Sequence, residues 1–264
     1  MYQDTIDNFA AVGAHKAMMV RRHLLAFLLG SAMAGAYIGF GDIIMFTVGA
    51  HADPAWGHLV MGAVFAAALT ICVFAGSDLF TGTAIYMPFA VLCRKASMLD
   101  LLAVWVTCWL GNLLGALILA GIFHMAGGGV LLTDGSSMFF NAVAAKMSAS
   151  GSALFARGLL CNWLVCLAIW GAARIANEAA KIWFIGWCLL AFVACGFEHS
   201  VANMTVFIVG LLDPHQAGTL YGMFYNLLWV TIGNIIGGAV LVAGAYLAAA
   251  KIDSPSAVLP TGKA

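Results

Sequence analysis

Apolar residues run through this chain in six long stretches, Leu24–Gly49, Gly57–Cys93, Leu101–Ala126, Ala153–Ala176, Ile182–Leu212 and Leu220–Ala250. A bilayer core of about 30 Å takes about 20 apolar residues per helix, so the pattern predicts six membrane spans. The second and fifth stretches are longer than one straight crossing needs. Each is interrupted by a polar, glycine-containing segment: Gly76-Ser77-Asp78-Leu79-Phe80-Thr81-Gly82-Thr83 in the second and Gly196-Phe197-Glu198-His199-Ser200-Val201-Ala202-Asn203 in the fifth. Irregular backbone at membrane depth must be buried in protein or line a watery cavity, because its N–H and C=O groups need partners. Two interrupted spans in corresponding positions point to a permeation site.

The two halves echo each other. Gly76-x-Asp78 matches Gly196-x-Glu198, and Gly111-Asn112-x-x-Gly115 matches Gly233-Asn234-x-x-Gly237, at offsets of 120 and 122 residues. Three spans reverse the side of the membrane on which the chain stands. The expected fold is therefore an all-α integral membrane protein built as an inverted 3+3 repeat, residues 24–126 against 153–250, with spans two and five broken. Asn112 and Asn234 occupy equivalent places in it. Patterns such as Gly30-x3-Ala34 and Gly35-x3-Gly39 let helices approach closely. Residues 1–22, with Ile6, Phe9, Ala10, Ala14, Ala17 and Met18 apolar at helical spacing, read as an amphipathic helix at the cytoplasmic face, and residues 251–264 as a cytoplasmic tail.

Charge sets the orientation. Lys16, Arg21, Arg22, Arg94, Lys95, Arg174, Lys181, Lys251 and Lys263 fall before span one, between spans two and three, between four and five, and after six. By the positive-inside rule these segments and both termini are cytoplasmic. The opposite loops, around Asp53, Asp134 and Asp213, hold only Lys146, with Arg157 at the start of span four. Composition agrees: 64% of residues are hydrophobic and 8% charged, too little polar side chain to cover a water-facing surface. The mean hydropathy is +1.01. Eleven basic and eleven acidic residues without a run of either sign give a nucleic-acid partner no footing. The N-terminus lacks the pattern of a cleavable signal peptide. Seven cysteines lie in or beside apolar stretches without CxxC spacing, which favours their acting as small hydrophobes over a disulfide framework or a zinc site.

His199 is the only histidine expected at mid-membrane; its functional reading competes with that of a buried neutral imidazole held by backbone. Thr81 lies in the other interruption and can face the same path. Glu198 needs a partner if buried, for which Lys146 and Asn162 are candidates; a purely structural pair is the alternative to a role in conduction. Arg157 either adds positive potential to a vestibule or snorkels to the interface. Leu79, Phe80, Phe65, Leu69 and Phe192 lie beside or shortly before the interruptions, where bulky side chains usually face lipid or core. No role is read for Asp42. No metal cluster, nucleophile motif or phosphate loop suggests an enzyme, and no cofactor is expected.

At Gly76–Thr83, Asn162–Trp170, Gly196–Met204 (GFEHSVANM) and Val230–Gly238 (VTIGNIIGG), the chain resembles the formate/nitrite transporter family, from about residue 10 to 250. The stretches CNWLVCLAIW at 161–170, WCLLAF at 187–192 and NLLWVTIGN at 226–234 resemble its nitrite channel branch more than its formate branch. The resemblance implies an aquaporin-like protomer with its own pore, assembled as a pentamer in the inner membrane, with a small anion and lipid as partners. It places the central histidine on His199 and the loop threonine on Thr81, an inner constriction on Leu69, Leu79 and Phe80, and an outer one on Phe65 and Phe192. The surrounding polar residues fall on Lys146, Glu198 and Asn162. Nitrite is the expected substrate, formate or a related weak-acid anion the alternative, and a facilitator of water or neutral solutes the rival class. An anion drawn in by Lys146 and Arg157 would favour an imidazolium at His199, which could pass its proton to the anion with Thr81 orienting it.

Overall fold

The computed structural model describes residues 1–132, 137–213 and 218–252, and all regular structure among them is helical. Asp134, Lys263 and most of the expected tail at 251–264 lie outside the described residues. In chain order the helices are α1 (Gln3–Arg22), α2 (Leu24–Gly49), α3 (Gly57–Ala75), α4 (Phe80–Leu92), α5 (Met98–Met125), α6 (Gly129–Leu132), α7 (Ser137–Ser148), α8 (Gly151–Arg174), α9 (Glu178–Ala194), α10 (Ser200–Leu212), α11 (Leu220–Ile236) and α12 (Ala245–Ile252). A π-helical segment, Gly237–Gly244, joins the last two.

Five helical stretches are long and apolar enough to cross a membrane: α2, α3, α5, α8 and the continuous run Leu220–Lys251. The stretch Ile182–Leu212, expected as a broken span, holds two shorter helices, α9 with 17 residues and α10 with 13. The stretch Gly57–Cys93 divides in the same way into α3 and α4. Both divisions begin at a glycine in the left-handed region, Gly76 with φ 72° and Gly196 with φ 69°. An L side chain meets its own backbone in that conformation, so glycine is the residue that lets the helix stop there.

Local chemistry explains where helices start. Ser97 and Asp100 form a reciprocal capping box on α5, and Ser150, Asn177 and Thr219 cap α8, α9 and α11 through their side chains. Such caps take up backbone N–H groups that the first turn leaves unpaired. Helix α4 has no side-chain cap of its own. Its first N–H, on Phe80, is taken by Asn112 Oδ1 of α5 at 2.9 Å.

Helix α2 packs on α5 and α3, α8 on α11 and α9, and α3 on α9. The Gly-Asn-x-x-Gly motifs lie in the α2/α5 and α8/α11 contacts. A Cβ at Gly115 would overlap the Ala32 carbonyl, and one at Gly237 the Leu159 carbonyl, so backbone meets backbone at both places. The surface carries large exposed apolar side chains, among them Leu25, Phe40, Trp183, Trp187 and Leu228. Helix α1 buries Ile6, Phe9, Ala10 and Ala17. Its apolar face lies against α4, with Phe9 4.8 Å from the Tyr86 ring. Ala14 and Met18, expected on the buried stripe, are half-buried. Ion pairs tie the helix down: Lys16 to Asp78, and Arg21 in two contacts to Asp100 at 2.6 and 2.5 Å.

Candidate functional site

Residues 76–79 and 195–199 bring the ends of four helices together. His199 is the first residue before α10 and caps it: its Nδ1 accepts the Ala202 backbone N–H at 3.0 Å. Its Nε2 lies 3.0 Å from Thr81 Oγ1, in the first turn of α4. Both residues are buried, His199 at 4% exposure and Thr81 at 0%. An acceptor Nδ1 leaves the proton of a neutral ring on Nε2, so Nε2–H donates to Thr81 Oγ1. The threonine O–H is then left to donate to a third group. Thr81 is held from behind, its carbonyl accepting from Asn162 Nδ2 at 3.2 Å and Cys166 Sγ at 3.4 Å.

Asn162 therefore does not sit where the sequence suggested. Both of its amide hydrogens are engaged elsewhere, on the carbonyls of Thr81 and of Asn234, the latter at 2.6 Å. The partners of Glu198 are Lys146 and Asn203. Lys146 Nζ donates to Glu198 Oε2 at 2.7 Å and to Asn203 Oδ1 at 3.0 Å. Asn203 Nδ2 donates to Glu198 Oε2 at 2.7 Å and to Asn226 Oδ1 at 2.8 Å. Asn226 closes the ring by donating to the Lys146 carbonyl at 2.8 Å. Two signals were available for these asparagines: Asn203 stands four residues after His199, and Asn226 is one of two amides in a largely apolar helix. Neither identifies its partner.

A cavity of about 240 Å³ reaches His199, lined among others by Asp42, Lys146, Arg157, Glu198 and Phe192. Lys146 and Arg157 bring positive charge to its wall, and the Glu198 carboxylate is already engaged. The rings of Phe65 and Phe192 meet edge to face at 5.6 Å, and Phe192 stacks over the imidazole at 6.1 Å. Ile38, Phe65, Leu69, Leu189, Phe192 and His199 surround a void with no room for a water-sized sphere. Phe65, Leu69 and Phe192 are thus together beside His199. Phe80 lines a groove between α5 and α11, with Trp105, Trp109 and Leu227 among its neighbours, and borders neither of the two voids beside His199. Helix α4 starts at Phe80, and the Asn112 cap holds that first turn against α5. Leu79, immediately before α4, is buried at 6% exposure and lines none of these cavities.

Asn112 and Asn234 play matching parts beneath the two interruptions. Asn112 accepts from Phe80 N and donates to the carbonyls of Ser31 and Asp78. Asn234 accepts from Ser200 N and donates to those of Gly158 and Glu198. Each completes the hydrogen bonding of backbone that a membrane interior cannot satisfy.

The sequence model of the formate/nitrite transporter family matches residues 3–248. The chain is 45% identical over 259 residues to the nitrite transporter NirC of Escherichia coli (strain K12), covering 97% of this chain and 96% of that one. A solved FNT family ion channel superposes with a TM-score of 0.90 at 45% identity, over 94% of this chain and 99% of the other. A pentameric formate channel with formate bound gives a TM-score of 0.73 at 28% identity, over 88% and 99%. A near-complete family match, close relatives named as transporters and channels, and a helical fold rich in membrane-length apolar helices have one reading: this multi-pass membrane protein belongs to the formate/nitrite transporter family.

Proposed function

We propose that this protein is a channel for small monovalent weak-acid anions, nitrite first and formate second, working as a pentamer of independent pores in the cell inner membrane with both termini in the cytoplasm. In this reading the two halves form an inverted repeat that sets spans two and five, each broken, across the permeation path. The paired Asn112 and Asn234 networks and the 45% identity to a nitrite transporter support it. The observation that carries it is the Thr81–His199 pair, whose imidazole lines both a cavity made positive by Lys146 and Arg157 and a narrow apolar void. Lys146 and Arg157 attract the anion, and the Thr81 O–H, polarised by the imidazole, donates to it.

A bare anion loses several kcal/mol or more on entering such a slit, whereas the neutral conjugate acid gives up only hydrogen bonds. Protonation before the slit is therefore the favoured route. If His199 supplies the proton, its Nδ1 must take a second one and release the Ala202 N–H, a capping contact worth about 1 kcal/mol. An anion at Thr81 offsets that cost by its attraction to the imidazolium. The proton then moves from Nε2 to the anion oxygen and leaves the neutral ring as its Nδ1–H tautomer; Nδ1 must give up that proton and Nε2 regain one before the ring again accepts the Ala202 N–H.

Flux of nitrite, formate and chloride into liposomes holding the purified protein, at two pH values, tests the function. Nitrite and formate should pass with acidification of the lumen and chloride should lag. Equal passage of water or urea with no anion flux would assign the pore to neutral solutes instead. The formate reading is favoured by the likeness to the formate-bound channel, and the nitrite to formate ratio decides between them.

A further inference from the structure

Asp42 stands on α2 at 2% exposure, and neither of its carboxyl oxygens has a hydrogen-bond partner among the described residues. It lines the same cavity as His199. An ionised carboxylate in that setting bears its whole desolvation cost, and a group left so must find its partner in what enters the cavity. The charged and titratable groups on the other walls are His58 of α3, Lys146 of α7, Arg157 of α8, and Glu198 and His199 of the α9–α10 connection. Glu198 is occupied by Lys146 and Asn203, and His199 by Ala202 and Thr81. Lys146 has given two of its three N–H bonds. That leaves the third ammonium hydrogen of Lys146, the Arg157 guanidinium, the His58 ring and the Asp42 carboxyl as polar capacity in one cavity.

We propose that Asp42 is a substrate-binding residue of this vestibule, donating a carboxylic O–H to one oxygen of a small oxyanion held by Lys146. The inference rests on the anion-channel reading. The acid form fits an anion site in two ways: it carries no charge to repel the ligand, and it is a donor where a carboxylate only accepts. An O–H donated to an anionic oxygen belongs to the stronger class of hydrogen bond. A two-oxygen anion such as nitrite or formate can accept from two donors set apart, one at each oxygen; a halide has a single acceptor centre and takes both only where the donors converge on one point. Asp42 thus acts as a specificity determinant before the ligand reaches Thr81.

The test compares wild type, Asp42→Leu and Asp42→Asn in liposomes. Loss of one such bond corresponds to roughly tenfold or more in affinity. In Asp42→Leu the half-saturating nitrite concentration should rise by about that factor, with the nitrite to chloride ratio falling and maximal flux less affected. Asp42→Asn keeps an N–H donor and should lose less than the leucine variant. Infrared difference spectra on adding nitrite should contain a shifted carboxylic-acid C=O band that vanishes in Asp42→Asn. Nitrite flux and anion selectivity unchanged in Asp42→Leu, or a large gain of flux in Asp42→Asn with no acid band in wild type, overturns the proposal. Absence of nitrite and formate flux in folded wild-type protein overturns the channel reading itself.

Discussion

Asn112 and Asn234 each place a side-chain oxygen 2.9 Å from the first backbone N–H of a helix that starts inside the protein, Phe80 N on α4 and Ser200 N on α10. Each amide nitrogen holds two carbonyls, so one residue satisfies three buried backbone groups. Leaving a buried donor or acceptor unpaired costs about 1–3 kcal/mol per group. Asn112→Leu and Asn234→Leu should therefore each lower the thermal midpoint of detergent-solubilised protein markedly, and by similar amounts. A neutral result at either position would show that its bonds are replaceable.

The ring of Lys146, Glu198, Asn203 and Asn226 yields a second expectation. Removing one member of a buried pair costs about 3–5 kcal/mol, because it strands the other charge, while neutralising both is milder. Lys146→Ala should damage stability more than Lys146→Met combined with Glu198→Gln, read by thermal unfolding of the two variants side by side. Anion affinity should drop in both, since both lose the cation. A double variant far less stable than the single one contradicts the pairing.

A third expectation concerns His199. Asparagine keeps a polar side chain able to cap α10 but cannot titrate. In His199→Asn liposomes the proton-linked part of nitrite flux should vanish, while any bare-anion conductance survives or rises. Nitrite uptake with unchanged lumen acidification in this variant would remove the histidine from the proton path and leave it a structural role.

Much of this was legible in the sequence because polar groups are conspicuous against an apolar background. The two interruptions were visible as glycine and charge inside long hydrophobic stretches. The Gly-Asn-x-x-Gly motifs were visible as a repeated spacing, since close backbone approach demands glycine at fixed intervals. Which side chain answers which was not legible. Asn162 and Asn203 carry the same amide, and only the placement of α8 and α10 gives Glu198 to Asn203 and Thr81 to Asn162. Phe80 illustrates the same gap: its place beside Thr81 in sequence gave no sign that it lines a groove with residues of α5 and α11. Asp42 stayed silent because an acid in an apolar span signals burial without naming a partner.

The slit between Phe65, Leu69, Phe192 and His199 has a consequence for the cell's energy supply. A file of water molecules conducts hydronium by relay, and any pore holding one continuously would short-circuit the proton-motive force. A gap too narrow for one water interrupts that file. In the proposed channel protons would then cross only with a permeant molecule, so idle copies of the protein would not discharge the membrane.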